Sequence, residues 1–556
     1  MNPFGESRDI VPIWKLSYEA ASSPEITPIK SSSTLEVSEL KSDDLLKEFL
    51  KDKSLGKAAD LLNASILEGR EELSKTAAEF IIDIKAKLPA LNAISQKVLG
   101  ISVPDSTDHS ITIGSLRERL KETPQNPLAW VDLARAYTVI NEKEKSEKAM
   151  WAALRYSHEH RWISRMAARL FVHYEELGKA HKVLLMNSNL RSDPWLLSTE
   201  LAIARLADKP QKNWSQAKKL ADSNLAPIHI SELTSSLATS EILGGAEKKA
   251  RSFFKQSLIS PTSNSLAQIK WADRSYKLGF SKQIENSLTH VSKAHEAKHW
   301  EAYEKKQMHL ALEHAQNWLK EEPYSASPSQ AITYIASIIN DMPLVLSASA
   351  NGLKANPGDT TLKLNYIFGQ LSTLGYNNDV NQEAIEKAFR TLRAVMHGLD
   401  KNEAAHSVAN IGMFAYRIGR AELGKQYYDE AEIFFEKTKN PSAPFLLINH
   451  LRESLIAECS WSSQIEEKIR ASIKQPSPTT AAAEYYLLKI DEIRNQPGTW
   501  KEKFSHPFSE TPSQEPEIKA IEYSTEKLLR KFWLPQDFEA KSEIIKQLKQ
   551  PQHTKK

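Results

Sequence analysis

Five small residues keep step along this chain. Ala134, Ala168 and Ala202 are each 34 residues apart, and after a two-residue excess near Asp208 to Asn213 the step resumes with Ala238 and Ala272. A period of that length marks one supersecondary unit used again and again. In the first unit, Trp130, Leu133, Ala134 and Tyr137 are spaced i, i+3, i+4 and i+7, which puts them on one face of a helix. Ala134 is small enough for a partner helix to approach closely. Met150 and Ala153 recur three apart and face back from a second helix, while Asn141 falls between the two, where tolerance of left-handed backbone is useful. One helix hairpin cannot cover its own apolar face, so neighbours are expected.

They follow in the same register. The position before the small residue gives Leu133, Ala167, Leu201, Leu237 and Trp271, and the large second-helix position gives Met150, Leu184, Phe254 and Leu288. Gly245 and Gly279 sit at the inter-helix turn, and Pro261 ends a unit because it cannot continue a helix. Beyond Val291 the register loosens. A second helix is still expected over residues 309–323, ending at Pro323, helix pairs over 329–357 and 360–399, the last with its second helix at 383–399, and a repeat again in 410–435, where Ile411, Gly412, Gly419, Gly424, Tyr428 and Ala431 take the repeat's places.

These hairpins resemble tetratricopeptide repeats over roughly residues 115–440, most closely in 127–290 and 405–436. The resemblance implies an all-α fold, a right-handed superhelical solenoid whose first helices line a concave groove for an extended peptide or a partner's helix. Arg135 and Arg169, expected to be exposed on first helices, are the candidate groove residues. The basic carboxylate clamp of some relatives does not carry over, because Asp132 and Arg135 stand where it would need Asn and Lys. The role implied is a scaffold or adaptor for protein partners. Long bacterial proteins of this kind also serve as accessory subunits beside a separate effector, including in stress and antiviral modules.

Flanking segments differ in texture. Residues 1–45, with prolines and a serine run, read as an irregular arm holding an apolar knot of Ile10, Val11, Ile13, Trp14, Leu16 and Tyr18. That knot is expected to pack on the chain's own helices, with docking on a partner as the alternative. Residues 46–110 read as a helical segment outside the repeat register, capping the groove or reaching into it, and residues 441–556 as a helical cap with a Pro-rich connector. Glu517 to Phe532 reads as an amphipathic capping helix ahead of a frayed tail.

Composition narrows the chemistry. Lys plus Arg number 73 against 70 Asp plus Glu, a formal charge of +3 that gives no general pull toward nucleic acid or acidic membrane. The 18 glycines are few for phosphate-cradling loops, and no Walker-type, GxGxxG or GxSxG motif occurs. The single cysteine, Cys459, excludes an intrachain disulfide and reads as a packed thiol. The first residues lack a signal-peptide pattern and no run of about 18 apolar residues suggests a membrane span, so a soluble cytoplasmic protein without cofactor is expected.

Two patterns hint at other functions. His295, Glu296 and His299 spell HExxH, the spacing that sets two imidazoles one turn apart beside a glutamate general base in zinc hydrolases. Their charged surroundings read as a solvated helix, and the choice of third ligand among His309, His314 and Glu321 is arbitrary. Arg155, Tyr156, His158, His160, Arg161 and Trp162 mix basic and aromatic groups that could stack a base or hold a phosphate, the RNA-binding alternative.

Overall fold

The computed structural model describes residues 8–20, 23–26, 42–85, 89–100, 109–374, 390, 392, 401–474 and 478–509. Every regular element among the described residues is helical. The chain divides into two compact units. An N-terminal unit comprises Ser7–Lys298 with Glu321–Tyr324, and a C-terminal unit comprises Met1–Glu6, His299–Lys320 and Ser325–Lys556. The proposed capping helix at 517–532 and the tail lie outside the described residues, as does nearly all of the expected second helix at 383–399.

In the N-terminal unit a single helical turn, α1 (Ser17–Ala20), precedes α2 (Ser42–Lys51), α3 (Leu55–Glu68), α4 (Glu71–Asp83), α5 (Pro89–Val98) and α6 (His109–Glu122). Hairpins follow: α7 (Pro127–Val139) with α8 (Lys143–Ser157), α9 (Arg161–His173) with α10 (Leu177–Leu185), α11 (Pro194–Leu206) with α12 (Trp214–Ala221), α13 (Pro227–Leu243) with α14 (Glu247–Ser257), and α15 (Ser263–Tyr276) with α16 (Ser281–His290). Their starts are written in the sequence. Asn126 accepts from the Ala129 amide ahead of Pro127, and Asp193 accepts from the Trp195 and Leu196 amides ahead of Pro194. Each pairs a side-chain cap with a proline at the position whose N–H would otherwise be an orphan.

Their ends are less visible. First helices close on a residue with left-handed backbone, Asn141, Glu175, Asp208 or Gly245, with φ between +50° and +81°. The next amide then bonds five residues back, Glu142 to Tyr137, Glu176 to Phe171, Lys209 to Ala204 and Ala246 to Glu241. This closure satisfies the last carbonyls of the helix, which offsets the cost of about 1–2 kcal/mol for putting a non-glycine residue there. The stepwise alanines do what their spacing requires: Ala134, Ala168, Ala202, Ala238 and Ala272 have no exposed surface, and neither has Phe254. Leu133 is also buried, whereas Trp130 and Tyr137 are only half-buried.

Helix α17 (His295–Glu304) contains the division between the units. The C-terminal unit continues with α18 (Met308–Glu321), α19 (Ala326–Ile338), α20 (Met342–Ala355), α21 (Thr360–Ser372), α22 (Lys401–Arg417), α23 (Ala421–Lys437), α24 (Ala443–Ile456), α25 (Ser462–Ser472), α26 (Thr480–Arg494) and the short α27 (Trp500–Lys503). The same turn closure returns at Lys306, Asn340, Gly419 and Glu458.

Helices α22 and α23 meet through two glycines. A Cβ on Gly424 would lie 2.5 Å from a Tyr416 ring carbon and 2.9 Å from the Gly412 carbonyl oxygen. Neither neighbour can yield, since Tyr416 is fully buried and the other contact is backbone. Gly424→Ala is therefore expected to destabilise the chain by about 1–3 kcal/mol through overpacking, read as a lower urea midpoint with an unchanged slope.

Candidate peptide groove

The first helices of the N-terminal unit present polar side chains on the face that meets residues 8–20 and 23–26, and those residues lie along it. The arm begins at α15. Arg8 donates Nε and Nη2 to the two Glu296 oxygens, each at 2.7 Å, and Nη1 to Gln268 Oε1 at 2.9 Å, while Gln268 Nε2 donates to the Arg8 carbonyl at 2.6 Å. Asp9 pairs with Arg205 of α11, and Asn264 Nδ2 donates to the Val11 carbonyl at 3.0 Å. At the other end, on α7, Arg135 Nε donates to the Trp14 carbonyl at 2.8 Å, and Asp132 accepts from the Ser17 amide at 2.8 Å and from its hydroxyl at 2.5 Å. The Trp14 amide donates to the Tyr324 hydroxyl at 2.7 Å. The arm thus crosses the first helices against their chain order, from α15 to α7.

Recognition here is largely of backbone. The carbonyls of Arg8, Val11 and Trp14 and the amides of Trp14 and Ser17 are all held by side chains of the repeats or of Tyr324. Ile10 and Trp14 supply the apolar anchors, both without exposed surface, and the Trp14 ring packs 5.7 Å from that of Tyr324. After α1 the chain returns to α9, where Arg161 donates to the Pro24 and Glu25 carbonyls at 3.2 Å and His160 Nε2 lies 3.1 Å from the Ile26 carbonyl. Burial lowers His160 to a pKa of about 3, so it is neutral here.

Arg165 is the electrostatic centre. It pairs with Glu25 of the arm and, at 2.5 Å, with Glu232 of α13; Thr199 accepts its Nε at 2.9 Å and its guanidinium lies 5.1 Å from the Trp195 ring centre. Burial pushes Glu25 up to about 7, opposed by Arg165 and helped by the like charge of Glu232. Burial likewise raises Asp132 to about 6 against the pull of the Ser17 bonds.

The two residues expected to be exposed in an open groove are covered instead. Arg135 is buried beneath Trp14, and half-buried Arg169 stands 4.8 Å from the Tyr324 ring centre. The reason is the apolar knot, which lies on the chain's own helices. Sequence reasoning missed Arg165, Glu232, Asn264, Gln268 and Tyr324 as contact residues. The signal was present in a form that spacing rules do not weigh: isolated charged or amide residues in largely apolar first helices, as Arg165 and Arg169 are in the run Ile163 to Phe171.

The HExxH residues have other partners. Glu296 is engaged by Arg8, and His299 is fully buried with Nδ1 2.8 Å from the Ala311 carbonyl and its ring 4.6 Å from Trp300. The expectation of a solvated helix fails because Ala297, Trp300 and Tyr303 hide an apolar face among the charges. His295 is half-buried, and among the described residues no group of three or more His, Cys, Asp and Glu could hold a metal ion. The basic and aromatic cluster divides as well. His160, Arg161 and Trp162 are buried, Arg161 against Asp193 at 2.6 Å, whereas Arg155, Tyr156 and His158 line a surface cavity of about 590 Å³ with Trp130, Trp151 and Met186. Cys459 is half-buried, and burial pushes its thiol up to about 11.

A repeat of helix hairpins, helical in every regular element among the described residues, is the class these elements define. No protein-family model matches the chain, and no curated protein matches it. Solved structures similar to it include the Cut9–Hcn1 hetero-tetramer of the APC/C (TM-score 0.34, 9% identity, 80% of this chain and 92% of that chain covered). Others are yeast Tom70 (0.28, 13%, 84% and 98%) and the human IFIT1 dimer with PPP-AAAA (0.26, 12%, 83% and 96%). No helix among the described residues is long and apolar enough to cross a membrane.

Proposed function

We propose that this chain is a protein-interaction scaffold whose N-terminal repeats take an extended segment of a partner protein, in the place now held by residues 8–17. The observation that carries this reading is the mode of contact. Side chains from α7 and α15, together with Tyr324, grip main-chain groups of the non-helical stretch 8–16 and the first amide of α1, none of which has a partner within a helix or ladder. Backbone recognition supplies affinity for any sequence able to lie extended, and the sites for Arg8, Ile10 and Trp14 supply selectivity. A partner segment with a basic residue followed by spaced apolar anchors competes with the arm for the same contacts.

The test uses the full chain carrying Trp14→Ala, which weakens the arm without touching a repeat helix. A fluorescent peptide of residues 7–20 is titrated in and followed by anisotropy. The variant is expected to bind the peptide saturably while the unaltered chain excludes it. Asp132 sets the direction of the pH effect. Its pKa in the folded chain lies above the ordinary carboxyl value, so folding takes up a proton and the associated stability is complete below about pH 4 and lost as pH rises through about 6. This group alone is therefore expected to contribute about 1 kcal/mol less to the stability of the unaltered chain at pH 8 than at pH 5, read by urea denaturation at the two pH values. Loss of helical circular dichroism in Trp14→Ala, with no peptide bound, would show the arm to be a fixed part of the core and overturn the reading.

A further inference from the structure

The arm lies on the first helices of the N-terminal unit, whereas the second helices carry an excess of positive charge. Lys and Arg outnumber Asp and Glu by four to two in α8, by two to none in α10 and in α12, and by four to one in α14. These four helices therefore hold an excess of nine positive charges in a chain whose formal charge is +3, so the remainder of the chain is acidic and masks them. Of the three acids, Glu147 is engaged by Lys143 and Lys179 and Glu247 by Arg251, which leaves Glu144. Lys148, Arg155, Lys182 and Lys219 are exposed and have no ion pair among the described residues. The same holds for Lys248, Lys249 and Lys255 of α14. Three of these cations share a register: Lys148, Lys182 and Lys219 each stand two places after a small buried residue, Ser146, Ala180 or Ala217. A shared offset from the packed residue puts them on the same side of successive second helices. Helices α8 and α10 stand side by side, since Lys143 reaches Glu176 at 2.5 Å and Lys179 reaches Glu147 at 2.9 Å.

The row starts at the surface cavity of about 590 Å³, a volume in the range of small-ligand pockets. Lys148, Trp151, Ala152 and Arg155 are spaced i, i+3, i+4 and i+7, so one face of α8 lines it. Two tryptophans are held there by the fold while keeping surface open. Trp130 is half-buried and donates Nε1 to the Pro124 carbonyl at 2.8 Å; Trp151 is 39% exposed and its ring lies 5.7 Å from that of Phe171. No acidic side chain is among the described residues that line the cavity. His158, at its edge, stands 3.3 Å from Glu159, which also accepts from the Ser188 hydroxyl at 2.6 Å. A merely solvated face has no use for fixed, half-open aromatic rings, and an apolar partner would leave Lys148 and Arg155 unneutralised. Flat π-faces beside unpaired cations match a base joined to a phosphate. A membrane surface calls for a protruding apolar edge, whereas this site is concave.

We propose that the second helices of the N-terminal unit bind single-stranded nucleic acid, with a base stacked on Trp151 in the cavity, phosphates beside Lys148 and Arg155, and the strand continuing along Lys182 and Lys219. The full chain is titrated into a fluorescein-labelled oligoadenylate RNA of about 20 nucleotides, and anisotropy is read between about 50 and 200 mM salt. Saturable binding that weakens with salt is expected. Trp151→Ala should lower affinity about tenfold or more, the worth of one stacked base, and Trp151→Phe should keep most of it. Replacing Lys148, Lys182 and Lys219 together by Ala should reduce the slope of log affinity against log salt by about 2, at about 0.7 for each lost phosphate contact. That set leaves the rings in place, so it tests the site independently of Trp151. Trp14→Ala, which disturbs only the arm, should bind as the unaltered chain does. Absence of binding at 50 mM salt, equal affinity for a duplex of the same length, or indifference to both Trp151→Ala and the lysine set overturns the proposal. Displacement of the strand by adenosine monophosphate at equal nucleotide concentration would assign the cavity to a free nucleotide and overturn the strand, as would attachment to phosphatidylserine vesicles without binding of the RNA.

Discussion

Arg165→Leu is expected to destabilise the chain by about 3–5 kcal/mol, the cost of breaking a buried ion pair by removing one member. Two carboxylates converge on this guanidinium, Glu25 with 14% of its side chain exposed and Glu232 with 5%, and the Arg165 side chain itself has none. Without it both acids face each other in a desolvated site and one must be protonated to stay. The loss should therefore be smaller at pH 5 than at pH 8, because a carboxyl held neutral by burial favours the folded state at low pH. Urea denaturation at the two pH values measures both effects. A triple variant, Arg165→Leu with Glu25→Leu and Glu232→Leu, should recover most of the loss, since an apolar set of similar volume replaces a buried ion triad at little cost. A triple variant as unstable as the single one would mean that Arg165 acts through Thr199 and the Trp195 ring rather than through charge.

That triad also shows where the sequence stops being readable. The 34-residue step of the alanines was legible because each packs the same local contact, and a local contact leaves a periodic mark. So were the starts of α7 and α11, where an Asx cap and a proline stand side by side. The turn closures were legible only in part. Gly245 and Asn141 advertise themselves, but Glu175, Asp208, Lys306 and Glu458 adopt the same backbone because the hydrogen bonds of the closure offset the strain, and no residue preference records that. What covers the first helices was not legible at all. Glu25 and Arg165 are 140 residues apart, and Arg8 and Glu296 are 288 apart. Nothing in the spacing of either end points to the other. The mixture of charges around His299 misled for the related reason that helical burial depends on which face the charges occupy, and Ala297, Trp300 and Tyr303 share the hidden one.

Glu453→Leu is expected to cost a comparable 3–5 kcal/mol in the C-terminal unit, by leaving two buried guanidiniums without their shared anion. Glu453 has no exposed surface and accepts from Arg417 through both oxygens, at 2.8 and 2.9 Å, and from Arg452 at 2.8 Å. Each arginine carries the connection further. Arg417 Nη1 donates to the Ser372 and Leu374 carbonyls at 3.1 and 2.9 Å, which ties down the end of α21. Arg452 donates to Asn340 Oδ1 at 3.0 Å, and Asn340 Nδ2 holds the Phe504 and His506 carbonyls at 2.9 and 2.8 Å. One carboxylate therefore links the end of α21 to the segment after α27. Urea denaturation at constant slope measures the loss. A cost under about 1 kcal/mol, that of an exposed ion pair, would show that Arg417 and Arg452 keep their places through the Ser372, Leu374 and Asn340 oxygens without the carboxylate.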